Sequence, residues 1–254
     1  MLLKGKTAVI TGCNRGIGKA ILETFAENGA NVFACVRKET EEFSERINTL
    51  SKNYGVEIIP LYFDLREESA MKSAVMQIRK THKKIDILVN NAGTRPNAPT
   101  AFQMTPIDKI REVFEVNFFA VLKFTQYILK LMPIAPPPDF GGVIVNVAST
   151  AALDGAPGHC AYSASKAALV GFTRTLSHEV GGLGIRVNAI APGLTETDLA
   201  ENVWGDYVEE ITTRSTIHRL GTPKEIADAV LFLSSNLSNF MTGEILRVDG
   251  GQVI

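Results

Sequence analysis

Thr11-Gly12-Cys13-Asn14-Arg15-Gly16-Ile17-Gly18 follows directly on the apolar run Thr7–Ile10 and opens an amphipathic stretch, Gly16–Glu27, that closes at Gly29. Three glycines spaced T-G-x-x-x-G-x-G between a strand and a helix let the backbone turn sharply and come close to a ligand. They also leave the first N–H groups of the helix open, at the positive end of its dipole, which suits a phosphate. A glycine-rich turn with no ligand is the bland alternative. The strand before it and the helix after it favour a dinucleotide site.

The same alternation runs through the rest of the chain. Apolar, β-rich runs at Asn31–Val36, Val56–Phe63, Ile85–Val89, Val143–Val147, Arg186–Ile190 and Glu244–Val248 are separated by helical patterns at Thr40–Tyr54, Glu67–Thr81, Ile107–Leu131, Ala161–Val180 and Lys224–Ser234. This order predicts an α/β fold: a Rossmann-like, doubly wound, seven-stranded parallel sheet with helices on both faces. Ile87-Leu88-Val89 and Val143-Ile144-Val145 are apolar at every position, as burial on two sides demands. Pro133-Ile134-Ala135-Pro136-Pro137-Pro138 reads as a stiff loop, not a linker, so residues 1–254 are expected to form one domain.

Hydrophobic residues at 45% and charged ones at 21% fit a globular chain. Lys+Arg 26 against Asp+Glu 27 leaves a net charge of -1, which argues against a nucleic-acid partner bound by phosphate neutralisation. Cys13, Cys35 and Cys160 are odd in number, far apart and without metal-site spacing. Neither a disulfide framework nor a metal is expected, and a reducing, cytoplasmic setting fits. The N-terminus lacks the apolar core of a signal peptide, and no apolar run approaches the roughly 20 residues that span a bilayer, so no membrane partner is expected.

The second strand bears on the cofactor. It ends Ala34-Cys35-Val36-Arg37-Lys38, with no carboxylate before Glu39. NAD sites place an acidic residue here for the ribose hydroxyls, whereas cations accommodate a 2′-phosphate. Arg37, Lys38 and Arg15 from the glycine loop therefore point to NADP(H), the alternative being ordinary solvated charges. Further along, Tyr162 and Lys166 stand four apart on a helix and share a face. An ammonium beside a phenol favours the phenolate, bringing a group with an ordinary pKa of about 10 toward the working range of an acid–base catalyst. Ser149, after a strand, supplies a hydroxyl for a substrate oxygen that gains charge.

Other residues carry blander expectations. His159 and Cys160 lie on a segment read as extended, where neighbours point apart, so no nucleophilic pair is expected. Cys13 reads as a space-filler, and His82 and His218 as surface residues. Met104, Phe114, Phe118 and Phe119 read as core or subunit-contact residues.

Taken together, these motifs resemble the short-chain dehydrogenase/reductase family over nearly the whole chain. The resemblance implies that Gly12, Asn14, Arg15, Gly16, Ile17 and Gly18 form the cofactor fingerprint, and that Asp64, with Leu65 beside it, holds the adenine amino group. Asn91, Ala92 and Gly93 belong to an N-N-A-G motif starting at Asn90. Asn117, Ser149, Tyr162 and Lys166 match the family's catalytic tetrad, with Tyr162 as proton donor and Lys166 also on the nicotinamide ribose. Asn117 is implied to kink its helix and hold a water that links Lys166 to solvent. Pro192 and Gly193 match the nicotinamide-side turn, with Thr195 or Thr197 as contacts.

Within the family the resemblance is greatest to 3-oxoacyl-acyl-carrier-protein reductases, carried by T-G-x-x-R-G-I-G, by N-V-A-S at Asn146–Ser149 and by T-G-E-I-L-R-V-D-G-G at Thr242–Gly251. It implies NADPH-dependent reduction of a 3-oxoacyl thioester. Leu183 and Phe140 stand where carrier-dependent enzymes often place basic residues, which puts the acyl-carrier-protein partner in question. Another carbonyl reductase or alcohol dehydrogenase acting on a sugar, steroid, quinone or xenobiotic stays open, as does a non-catalytic NADPH sensor. Residues 195–220, with Leu199, Val203, Trp204, Tyr207, Ile211 and Ile217, resemble a substrate lid. A homotetramer is expected, pairing the helices around Phe114–Leu131 and Tyr162–Val180, with the last strand in a second interface.

Overall fold

The computed structural model describes residues 1–96, 98–135, 141–197 and 205–252. Phe140, Pro136, Pro137, Pro138, Leu199, Val203 and Trp204 lie outside the described residues, as do the side chains of Tyr207 and Ile211. Strands β1 (Thr7–Thr11), β2 (Asn31–Val36), β3 (Ile58–Tyr62), β4 (Ile87–Asn90), β5 (Val143–Val147), β6 (Arg186–Pro192) and β7 (Ile245–Val248) form one parallel sheet. Their order is β3-β2-β1-β4-β5-β6-β7. The helices are α1 (Gly16–Glu27), α2 (Glu41–Tyr54), α3 (Glu68–Thr81), α4 (Ile107–Phe114), α5 (Ala120–Leu129), α6 (Cys160–Gly181), α7 (Gly205–Arg214) and α8 (Pro223–Ser234).

The uninterrupted apolar strands serve two layers at once, because successive side chains leave opposite faces of a sheet. Ala8, Ile10, Val32, Ala34, Ile87, Val89, Val143 and Val145 pack with α1, α2 and α8 through Ile21, Phe25, Phe43, Ile47, Ile226 and Val230. The alternate residues Val9, Phe33, Leu88 and Ile144 pack with α3, α5 and α6 through Met71, Ile78, Phe124, Ile128, Leu176 and Val180. Local signals set the helix ends. Thr40 Oγ1 caps α2 by accepting from Phe43 N–H at 3.3 Å, and Gly55 (φ 65°) closes it. Thr222 and Glu225 form a reciprocal capping box around Pro223 at the start of α8.

The strand order reverses between β1 and β4, and in such sheets the crevice beyond the strands' C-terminal ends takes the ligand. A buried polar chain crosses the sheet beneath that crevice. Asn90 donates to Asn146 Oδ1 (2.8 Å) and Thr125 Oγ1 (3.0 Å), and Asn146 donates to Thr173 Oγ1 (2.9 Å). It ties α5, β4, β5 and α6 into one frame, each buried amide finding partners it would otherwise lack.

Three expectations change. The helical pattern Ile107–Leu131 ends earlier, at Leu129, and is interrupted around Asn117, where a kink was implied, by a π turn at Glu115–Phe119 that joins α4 and α5. Cys160 begins α6 and is not on an extended segment. His82 is half-buried, its Nε2 2.8 Å from Glu57 Oε2 and its ring edge-on to Phe33 at 5.4 Å. Helix α7 was not foreseen within residues 195–220. The neck of that segment is stitched: Glu196 N–H donates to Gly221 O (2.9 Å) and Gly221 N–H to Leu194 O (3.1 Å). Beyond α7, Thr216 and Ile217 donate to Gly251 O (3.2 Å) and Gly250 O (2.8 Å) near the C-terminus. Among the described residues, no helix is long and apolar enough to cross a membrane.

Candidate active site

The glycine turn after β1 is closed to side chains. Gly12 (φ 77°) and Gly16 (φ 54°) take left-handed backbone conformations. A Cβ on Gly18 would lie 2.0 Å from Gly12 O and 2.4 Å from Asn91 Nδ2. Asn91 holds the turn from β4: its amide donates to Thr11 O (2.8 Å) and Gly12 O (3.2 Å), while its own N–H and that of Ala92 donate to Thr11 Oγ1, both at 3.0 Å. Arg15 occupies the cap position of α1 without a side-chain cap bond, so the N–H groups of the first turn are open to an anion. These residues fit a dinucleotide's phosphates. Thr197 approaches the same turn, its Cγ2 3.3 Å from a Cβ placed on Gly16, whereas Thr195 is buried just beyond β6 and donates to Gly193 O at 3.0 Å.

Arg37 and Lys38 are exposed where β2 ends, and Arg15 is exposed in the turn. Arg46, missed by sequence reasoning, donates from α2 to Asn14 O at 2.8 Å and steadies the glycine turn. Asp64 is half-buried, and Arg66 holds its carboxylate with a contact of 2.7 Å. The Arg66 hydrogen bond pulls Asp64's pKa below its ordinary value, and the Arg37 charge adds to that. Leu65 packs beside it against the core. Pro192 ends β6. A Cβ on Gly193 would meet Asp249 Cβ at 2.6 Å, so only glycine permits the C-terminal segment to lie against this turn.

The four residues expected to carry chemistry gather at the C-terminal ends of β4 and β5. Asn117 is fully buried in the π turn; its Oδ1 accepts from Thr94 N–H (2.7 Å) and its amide donates to Thr94 O (2.9 Å) and Ser165 Oγ (3.0 Å). Gly93 sits between Asn117 and Lys166, since its Cβ would lie 3.2 Å from Asn117 Oδ1 and 3.4 Å from Lys166 Nζ. Ser149 Oγ accepts from Ala151 N–H at 3.2 Å, and the Ser149 side chain is close enough to Tyr162 to favour its phenolate. Lys166 donates to Val147 O at 2.6 Å, with its Nζ 6.0 Å from the centre of the Tyr162 ring.

The electrostatics correct one expectation. Tyr162's pKa is raised, not lowered: burial outweighs the hydrogen bond from Ser149 and the positive charge that opposes it. That charge belongs to Arg95, not to Lys166. Burial brings Lys166 itself down to about 8. Arg95, two residues past the N-N-A-G motif, is half-buried and was overlooked because the motif reading stopped at Gly93. Its charge also lowers the pKa of His159, after the larger effect of burial. Cys13 is fully buried, and burial pushes its thiol pKa up, consistent with a space-filling role.

Lys166 makes stability depend on pH. Below pH 8 it is charged in both folded and unfolded chains, and the cost of burying the ammonium is fully present. As pH rises from 8 toward the ordinary value of 10.5, the unfolded chain holds more protons than the folded one, so this cost is relieved. At about 1.4 kcal/mol per pKa unit the relief is about 3 kcal/mol. Urea denaturation should therefore find that any stability advantage of Lys166→Met over the wild type at neutral pH shrinks near pH 10. A gap that does not change with pH would show that Lys166 keeps its ordinary titration in the folded protein.

The family profile described as Enoyl-(Acyl carrier protein) reductase matches residues 12–252. A 3alpha-hydroxysteroid dehydrogenase of Mediterraneibacter gnavus is 36% identical over 251 residues, covering 98% of each chain. The structure of an L-sorbose reductase from Gluconobacter frateurii, complexed with NADPH and L-sorbose, is 30% identical with a TM-score of 0.87, covering 99% of this chain and 98% of the other. A 3-oxoacyl-[acyl-carrier protein] reductase from Brucella melitensis with bound NAD is 32% identical with a TM-score of 0.86, covering 98% of this chain and 92% of the other. These relatives differ in substrate and in cofactor but agree with the chain from its first strand to its last, and the chain belongs to the short-chain dehydrogenase/reductase family of oxidoreductases.

Proposed function

We propose that the protein reduces the 3-oxo group of a 3-oxoacyl thioester to the 3-hydroxy product, with NADPH as cofactor. The observation that carries the reaction type is the gathering of Ser149, Tyr162 and Lys166 at the ends of β4 and β5, with Lys166 one helical turn beyond Tyr162 and its Nζ 6.0 Å from the Tyr162 ring. NADPH supplies the hydride for the carbonyl carbon. Ser149 and Tyr162 hold the carbonyl oxygen, and Tyr162 O–H transfers its proton to that oxygen as charge grows there. A tyrosine kept protonated by burial suits this donor role, and the Ser149 bond and Arg95 charge stabilise the phenolate it leaves. Lys166 holds the nicotinamide ribose and resupplies the proton, and Asn117 sets the backbone that frames both. Gly12, Asn14, Gly16, Ile17, Gly18, Asp64, Leu65, Asn91, Ala92, Gly93, Pro192, Gly193 and Thr197 line the dinucleotide, with Thr195 at the neck of the lid.

We read residues 1–254 as one domain with a lid at about 195–220, working in a reducing cytoplasm where Cys13 and Cys35, both buried free thiols, stay reduced. Acyl thioesters on coenzyme A are favoured over carrier-bound ones, because Leu183, 41% exposed, offers an acidic carrier no charge. The second reading is reduction of a steroid or sugar carbonyl, favoured by the identity to the hydroxysteroid dehydrogenase. NADPH consumption with acetoacetyl-CoA against a panel of steroid and sugar carbonyls tests the two. Tyr162→Phe should lower turnover about 10²–10⁴-fold while NADPH binding persists; a near-normal rate would refute the proton-donor role.

Cofactor preference follows from the end of β2. A charge-assisted contact from Arg37 or Arg15 to the 2′-phosphate contributes roughly 1.5–3 kcal/mol, on the order of tenfold to a hundredfold in affinity. NADPH should therefore outperform NADH, and Arg37→Asp should reverse the order; equal turnover with NADH in the unaltered protein refutes this.

Assembly as a homotetramer is the remaining part of the proposal. Phe102, Met104, Ile107 and Phe119 are between 48% and 72% exposed, before α4, at its start and in the π turn that follows it. On α6, Ala164, Ala167 and Gly171 form an exposed strip of small residues that lets a second helix approach closely. Light scattering at micromolar concentration should give four times the chain mass. A monomer refutes the assembly, and a dimer leaves only the helix-paired interface.

A further inference from the structure

Two loop segments meet beside Tyr162. The first comprises residues 94–96, anchored by the paired bonds of Thr94 to Asn117, and residues 98–100, anchored by Thr100 N–H, which donates to Gly158 O at 2.9 Å. The second, residues 153–159, leads into α6. A Cβ on Gly158 would meet Pro99 Cβ at 2.4 Å, so the segments are packed to contact. Arg95 thus leaves a backbone position fixed next to Asn117, and its half-buried side chain puts a positive field on both Tyr162 and His159. His159 stands one helical turn before Tyr162. Its Nδ1 and the Oγ of Ser163 are buried and make no hydrogen bond within the described chain. Buried polar atoms of this kind are rare in folded proteins and ask for a partner.

We propose that Arg95, with His159 beside it, is a specificity-determining subsite for a second oxygen acceptor on the substrate, carried two carbons from the reacting carbonyl. The acceptor is the C1 carbonyl of a 3-oxoacyl thioester or the carboxylate of the free 3-oxo acid. This assignment rests on the 3-oxo reduction proposed above. With the C3 oxygen on Ser149 and Tyr162, C1 lies two bonds of about 1.5 Å each away. An arginine fork meets such an oxygen with charge-assisted hydrogen bonds. A ketone lacking it forgoes these contacts, which is how a polar site discriminates against an analogue. His159 is kept neutral by burial and by the neighbouring guanidinium, so it can offer the same oxygen a neutral hydrogen bond.

The test compares wild type, Arg95→Lys and Arg95→Leu on acetoacetyl-CoA, acetoacetate and 2-pentanone, which has no second oxygen. In the wild type, 2-pentanone should be the poorest of the three. In Arg95→Leu, the kcat/KM ratio of the better dioxygenated substrate to 2-pentanone should fall on the order of tenfold to a hundredfold. Arg95→Lys, which keeps the charge and loses the fork, should fall less. The pH limb assigned to Tyr162 should move upward in Arg95→Leu and stay in place in Arg95→Lys, a readout that a merely structural role does not shift. Wild-type turnover of 2-pentanone equal to that of acetoacetyl-CoA, or an equal loss on all substrates with an unmoved pH limb, overturns the subsite. Turnover of acetoacetate without acetoacetyl-CoA keeps the subsite and refutes the thioester. Turnover of acetoacetyl-CoA with no change of selectivity in Arg95→Leu does the reverse. If none of the three is turned over, the ring resonances of His159 decide: acetoacetate should move them upward in pKa, and no perturbation overturns the subsite.

Discussion

A single buried amide sets the geometry around the candidate site. Asn117 has no access to water, and each of its unmade hydrogen bonds would cost roughly 1–3 kcal/mol. The backbone of Thr94 answers it in both directions and Ser165 answers it from α6. Reaching those partners from the middle of a helix needs one residue more than an α turn provides, and the π turn at Glu115–Phe119 supplies it. Gly93, Thr94 and Arg95 take their places from this junction, and so does the face of α6 that bears Tyr162 and Lys166. The same amide that satisfies itself thereby fixes the distance between β4 and the catalytic helix.

The layered fold was legible because its signals are local or periodic. Ile87-Leu88-Val89 and Val143-Ile144-Val145 announced two-sided burial, and the structure sends their alternate residues to the two layers. The glycine turn was legible because Gly12 and Gly18 leave no room for a side chain, and the Tyr162–Lys166 spacing because a helix repeats every 3.6 residues. What escaped depends on contacts distant in sequence. A kink at Asn117 was implied by the resemblance, but its cause, partners 23 and 48 residues away, is encoded by no pattern within Ile107–Leu131. Arg46 was missed because its partner, Asn14 O, lies 32 residues away and meets it only once α2 is set against the glycine turn. Helix α7 spans only ten residues of mixed polarity, Gly205–Arg214, inside a stretch read as a substrate lid.

The electrostatic surprise has the same origin. Adjacency on a helix puts Lys166 near Tyr162, but direction decides whether its charge matters, and Lys166 reaches instead to Val147 O at 2.6 Å. Two groups with opposite demands thus stand side by side, Lys166 buried and Tyr162 half-buried. Burial disfavours the ammonium of Lys166 and the phenolate of Tyr162 alike, so in the cradle as it stands a proton is held on the phenol and loosely on the amine.

The stitched neck of residues 195–220 carries a different implication. Leu194 and Glu196 are bonded to Gly221, and Thr216 and Ile217 to the final glycines, so the two ends of the segment are held by the sheet and the carboxyl terminus whatever lies between them. Lengthening such a closed excursion costs little, about 0.6 kcal/mol for each doubling. The excursion is an exchangeable cassette: its interior can be rewritten, or transplanted from a relative with another substrate, while the glycine cradle and the Asn117 junction keep their places. The divergence of steroid, sugar and acyl substrates among proteins sharing this sheet has, in that clasp, a physical route by which it can proceed one loop at a time.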